Sequence, residues 1–182
     1  MSPWSEITYK VAWQKKDEKI MKDACAFWVE AGALKEQSQG VKRAQLLGVV
    51  AYDGDKLVAV STIAVGMESQ VHAKVCYFRC IVHPEYRRRG IATELANRCL
   101  VVSEEWSKKN PTHQAMAFVI RVETPSLVMK TYKPVWNDKL SFIGYSEGLP
   151  VYLRWFKHAY FGEQQDPDFT FYPSRPGKLG RV

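Results

Sequence analysis

Val82-His83-Pro84-Glu85-Tyr86-Arg87-Arg88-Arg89-Gly90-Ile91-Ala92 decides the reading of this chain. An apolar run over residues 75–82 stops at Pro84, a basic turn follows, and a helical pattern begins at Ile91. The stretch therefore reads as a strand, a turn rich in backbone donors and a helix N-terminus. The first amides of a helix have no partner inside it, and its dipole places positive potential there, so a phosphate suits the site. Gly90 allows close backbone approach and Ala92 keeps the next position small. Arg87, Arg88 and Arg89 add fixed positive charge. No Gly-Lys-Ser/Thr follows, which separates the turn from a Walker loop, and the three-glycine spacing of a dinucleotide fingerprint is missing.

Working downstream, Ile91, Leu95, Cys99, Val102 and Trp106 recur at helical spacing as far as about residue 109, where Asn110-Pro111 ends the helix. Residues 114–122 read as a strand. Thr124-Pro125 is a cap followed by proline at the first helical position, predicting a helix over 125–132 that stops before Pro134. Residues 140–145 and 151–158 read as strands joined by Glu147-Gly148-Leu149-Pro150.

Upstream, residues 7–13 form a first strand, and Asp17 caps a helix marked by Ile20, Met21, Ala24, Cys25, Trp28 and Ala31, closed by Gly32. A short helix over 41–45 precedes a strand at 46–52, an Asp53-Gly54 hairpin signal and a returning strand at 56–65. Residues 66–72 are polar and turn-like. Residues 75–82 are apolar on both faces except at Arg79, as in a central strand. The order is β-α-(α)-β-β-β-α-β-α-β-β.

The chain has 182 residues, 46% of them hydrophobic, enough for one domain with a full core. Residues 1–160 read as that domain, and 161–182 as an extension outside it, a solvated flexible end. No apolar run is long enough to span a membrane, and Met1-Ser2-Pro3-Trp4-Ser5-Glu6 shows no signal-peptide pattern, so a cytoplasmic protein is expected. Cys25, Cys76, Cys80 and Cys99 each lie in apolar segments, as buried free thiols do, and His72, His83, His113 and His158 lack metal-ligand spacing. A reduced protein without a metal is expected. The net charge of +7 suits a polyanionic ligand. It would also suit nucleic acid, but no RNA-binding aromatic motif or zinc-finger pattern is present.

Arg87-x-x-Gly90-x-Ala92, with Val82-x-Pro84 before it and Leu95 after it, resembles the signature of the GNAT acetyltransferase superfamily. The element order agrees with that family from the first strand to about residue 158. The resemblance implies an α/β fold with a central, mostly antiparallel six- to seven-stranded mixed sheet flanked by helices. Its fourth and fifth strands, here 75–82 and 114–122, would splay into a V that holds the pantetheine, and the region between the first two strands would shape the acceptor pocket. The cosubstrate would be acetyl-coenzyme A, the acceptor a small-molecule or protein amine, and attack by the amine direct. The resemblance also leaves room for a homodimer.

By the same resemblance, Ile81, Val82 and His83 would supply backbone N–H groups that polarise the thioester carbonyl. Arg87, Arg88, Arg89, Gly90, Ile91, Ala92, Thr93 and Thr124 would hold the cofactor. Tyr132 would protonate the leaving thiolate, with Phe142-Ile143-Gly144-Tyr145 as the matching segment after it. The positions that align with a glutamate base in some members hold Cys76 and Val119, neither of which can serve. Glu123, at the end of the fifth strand, is the nearest carboxylate, with Glu68 and His83 as alternatives. Arg79 needs a carboxylate partner or faces an acidic substrate. Trp136 either packs in the core or lines the acceptor pocket. The competing reading is a binding module that holds acyl-coenzyme A, nucleic acid or a partner without turnover.

Overall fold

The computed structural model describes residues 7–123, 133–136 and 139–160. The chain runs through β1 (Ile7–Val11), α1 (Glu18–Glu30), α2 (Gly40–Ala44), β2 (Leu47–Asp53), β3 (Lys56–Glu68), β4 (Ala73–Val82), α3 (Ile91–Lys109), β5 (Ala117–Arg121), β6 (Val135–Trp136), β7 (Leu140–Ser146) and β8 (Leu149–Trp155). The strands form one sheet in the order β1-β2-β3-β4-β5-β8-β7-β6. Every pairing is antiparallel except β4 with β5.

Strand alternation sends the helices to opposite faces. Val49 and Ala51 of β2 join Ile91, Leu95 and Cys99 of α3 in one core, which continues through Cys76, Phe78 and Phe118. Val50 and Tyr52 join Ala24, Phe27 and Trp28 of α1 in a second core on the other face. The Asp17 carboxylate accepts from the Ile20 amide at 3.0 Å and caps α1, and Gly32, at φ +69°, ends it. Between β2 and β3 the register slips at Leu47/Val50. Ser61 repairs the gap: its Oγ accepts from Val49 N at 2.9 Å and donates to Val49 O at 2.6 Å. The neighbouring Gly48 must stay small there, because a Cβ would lie 3.0 Å from Ile63 and from Ser61 Oγ.

Several sequence expectations change. Residues 66–68 are strand, not turn, because β3 stays paired with β4 down to Glu68↔Ala73. The β7–β8 connection is two residues long, since Ser146 pairs with Leu149 and both Glu147 and Gly148 take positive φ, as a tight hairpin requires. The sheet has eight strands because Val135 and Trp136 pair with β7 at the edge. Cys80 is exposed, unlike the other three cysteines. The expected helix over 125–132 lies outside the described residues, as do Trp4 and residues 161–182. Among the described residues no helix is long and apolar enough to cross a membrane.

Candidate active site

β4 and β5 part company half-way along β4. Their pairs run from Val75↔Ala117 to Phe78↔Ile120, whereas β4 continues to Val82. Two hydrogen bonds fix which way the backbone of β4 faces. Met116 N donates to Lys74 O at 2.8 Å on the β5 side, and His83 N donates to Val58 O at 2.9 Å on the β3 side. Alternation then aims the amides of Cys80 and Val82 into the gap beyond Phe78, and those of Ile81 and His83 at β3. The expectation that Ile81, Val82 and His83 all offer amides to a substrate is corrected accordingly. The amides of Val82 and Cys80 face the gap, and the other two are spent in the sheet.

A 310 turn at Pro84–Tyr86 links β4 to the basic loop. Arg88 and Gly90 both adopt left-handed backbone, at φ 64° and 77°. Such residues turn neighbouring amides towards one side, as in anion-binding nests. Gly90 caps α3 without a side-chain bond, and the first intrahelical contact is Glu94 N to Gly90 O at 3.0 Å. The amides of Ile91, Ala92 and Thr93 therefore have no partner within the helix. The Ile91 side chain is buried in the core, while Ala92 and Thr93 are exposed. Apart from its chain neighbours, nothing lies within 4 Å of the position a Gly90 Cβ would take, so the space before α3 is open.

The three loop arginines do not share one task. Arg87 Nε donates to Val82 O at 3.3 Å. Arg89 braces the turn, donating to Glu85 O at 2.7 Å with its guanidinium 4.8 Å from the Tyr86 ring centroid. Tyr86 is anchored in turn by its hydroxyl to Asp53 at 2.7 Å. Arg88 is exposed.

Two clefts meet where the strands separate. One, of about 270 Å³, runs along α3 between Ala92, Thr93 and Ala96 and the opposing Ile120, Trp136 and Leu140. The other, of about 700 Å³, opens on the opposite face among Trp28, Arg43, Thr62, Tyr77 and Val151. Phe78, Arg79, Cys80, Arg121 and Glu123 line both. These five shared residues set the two clefts back to back across the splayed strands.

Charge concentrates at the junction. Arg79 Nη2 donates to Glu123 Oε1 at 2.5 Å across the mouth of the V, and Arg121 donates to the same oxygen at 3.3 Å and to Glu147 at 2.9 Å. Arg79 thus has its carboxylate partner, at the surface of the cleft. Cys80 is open to solvent yet enclosed between the walls of the cleft, and that enclosure pushes its thiol up to about 12. Glu68 is buried, accepts from Gln70 N at 3.1 Å and lies 3.3 Å from the Tyr77 hydroxyl, which also donates to Met67 O at 2.8 Å. Burial first, then the nearby Glu68 charge, pushes the Tyr77 phenol up to about 12.

A family model described as the Acetyltransferase (GNAT) family matches residues 4–121. The chain belongs to the GNAT acetyltransferase family. Solved structures share its fold at low identity. PH1933 from Pyrococcus horikoshii OT3 is 16% identical, with a TM-score of 0.56 over 82% of this chain and 98% of that one. An N-acetyltransferase from Staphylococcus aureus Mu50 is 14% identical, with a TM-score of 0.54 over 84% and 100% of the two chains. A GNAT-family acetyltransferase from Streptococcus pneumoniae is 12% identical, with a TM-score of 0.51 over 83% and 99%. No curated protein matches the chain significantly.

Within this GNAT domain the expected site residues do not all fall together, and Ile81 lines the larger cleft. Val82, Arg87, Arg88, Arg89, Gly90, Ile91, Ala92 and Thr93 cluster between the end of β4 and the start of α3. Glu123 stands at the junction of the clefts, 44 positions from its partner Arg79. Thr124 and Tyr132 lie outside the described residues. His83 lines neither cleft. Its ring is half-buried near Glu30, at 3.5 Å, and Glu85, at 3.8 Å. Trp136 lines the cleft along α3, edge-on to Tyr152, and not the larger cleft. Sequence reasoning missed Cys80, Arg43 and Arg121. None of the three carries a local motif: the exposure of Cys80 follows from where β5 turns away, and Arg43 and Arg121 come from separate elements.

Proposed function

We propose that the protein is an acetyl-coenzyme A-dependent N-acetyltransferase that moves the acetyl group directly to an amine. The observation that supports this most is the passage through the splayed strands, with an amide-rich turn at the α3 end and a charged cleft at the other. The open concavity at Gly90 and the unpartnered amides of Ile91, Ala92 and Thr93 suit a diphosphate. Arg87 and Arg88 add charge at its rim.

Acetyl-coenzyme A supplies the acetyl thioester. Cys80 and Val82 offer amides to the thioester oxygen, where negative charge grows during attack. The amine approaches through the larger cleft and forms the new C–N bond as the C–S bond breaks. By family resemblance, the Tyr132 hydroxyl gives its proton to the departing sulfur. Tyr132→Phe should then lower kcat about a hundredfold with little change in cofactor affinity. Glu123 has Oε1 engaged by two guanidiniums, so we assign it to positioning, and the amine proton leaves through water in the open cleft.

A module that binds acyl-coenzyme A without turnover is the second reading, favoured by that same commitment of Glu123. Coenzyme A release from acetyl-coenzyme A over an amine panel separates the two. Turnover with any amine supports the enzyme. Calorimetric binding with no turnover across the panel supports the module.

A further inference from the structure

Resting on the acetyltransferase reading, we infer that the acceptor is a small amine carrying a carboxylate, as an amino acid does, held by Arg79 and Arg43. The larger cleft is lined by Arg43, Arg79 and Arg121 against only Glu68 and Glu123. Glu68 is buried, accepts from Gln70 N and lies beside the Tyr77 hydroxyl. Arg121 is matched by Glu123 and Glu147. That leaves the other two arginines with donors to spare. Arg79 is about half exposed and, among the described residues, uses only Nη2, on Glu123. Arg43 has no carboxylate partner among the described residues, and its guanidinium lies 5.4 Å from the Trp28 ring centroid. A cation–π contact of this kind involves no N–H donor bonded to a carboxylate, so those donors remain for a ligand.

Planar N–H pairs of this kind bind carboxylates in two-point fashion. Arg79 adjoins Cys80, whose amide faces the gap between the strands. A carboxylate on Arg79 therefore brings the amine attached to it to the reacting carbonyl. Glu123 contributes as a positioning residue by holding the Arg79 guanidinium across the mouth of the V. A simple cationic amine would meet like charge in the same cleft.

Initial rates with matched acceptors test this: alanine against ethylamine and alaninamide, and phenylalanine against phenethylamine. The carboxylated member of each pair should have a kcat/KM at least about tenfold higher, as expected for charge-assisted hydrogen bonds. In Arg79→Gln and, on a separate element, Arg43→Gln, that ratio should fall towards one, and Arg79→Lys should restore only part of it. Equal rates within the pairs, or a ratio that neither variant moves, would overturn the inference and leave the acetyltransferase reading standing. Acetyl-coenzyme A turnover with no member of any pair, or with other amines only, would also overturn it; in the former case the broad amine panel decides whether the acetyltransferase reading falls too.

Discussion

The two ends of the passage through the sheet are built from different materials. The α3 end is backbone: two left-handed residues, Arg88 and Gly90, and a helix start with unpartnered amides. The larger cleft is side chain, with Arg43 from α2, Arg79 from β4, and Arg121 and Glu123 at the end of β5. A backbone site demands particular residues at fixed spacing within one short stretch, because only glycine takes φ near +77° without strain and leaves room for a ligand. A side-chain site needs only that distant positions converge. It can therefore change without any change in the turn.

The largest break in this contrast should come from Gly90→Trp. A bulky side chain at an open, positive-φ position fills the phosphate concavity without touching the core. Acetyl-coenzyme A affinity should drop beyond calorimetric detection while far-UV circular dichroism is kept. Unchanged affinity would mean the phosphates lie elsewhere.

Next is a pair of changes at one residue. Cys80→Pro removes the amide that faces the gap but no β3 ladder bond, whereas Cys80→Ala keeps the amide and removes the thiol. The proline variant should lose about 10²–10³-fold in kcat, the scale of one oxyanion donor. The alanine variant should lose far less. Equal losses would make the thiol, not the backbone, the working part.

Glu123→Gln sharpens the acceptor end. A general base would cost about a hundredfold or more in kcat and flatten the alkaline rise of the rate. A positioning residue should cost less than about tenfold, mainly in acceptor KM, with the pH profile kept. A large kcat loss with a flattened profile would return Glu123 to the role of proton acceptor.

The smallest effect is on stability at high pH. Burial pushes the Tyr77 phenol from its ordinary value of 10.0 up to about 12. Below pH 10 both states hold the proton and the stabilisation is complete. As the pH rises from 10 to 12 only the unfolded chain ionises, so stability declines. Tyr77→Phe should remove part of the fall in Tm over that window. An identical decline in the variant would assign the effect to other groups, such as Tyr52, which burial also pushes up.

The legible parts of the sequence were those governed by local rules. Asp17 and Gly32 bounded α1, Asp53-Gly54 marked a hairpin, and the basic turn located α3, all from short-range chemistry. The continuation of β3 through Gly66 and Glu68 was missed because cross-strand pairing with β4 overrides a polar, glycine-containing stretch. Cys80 was assigned to the core on its apolar neighbours, but its exposure follows from β5 turning away after Ile120, which no residue near Cys80 announces. The Arg79–Glu123 pair, 44 positions apart, was likewise visible only once the parallel strands were in place. Arg79 alone gave a hint, as a charge in an otherwise apolar strand.

The most direct test of the account follows the acetyl group itself. Isotope-labelled acetyl-coenzyme A is mixed with the native protein and an amine panel, and the products are analysed by mass spectrometry, with Gly90→Trp run in parallel. The label should appear in an amide on an acceptor nitrogen with the native protein and be absent with the variant. Label that stays on coenzyme A with every amine, despite measured binding, would contradict the claim that this passage carries out acetyl transfer.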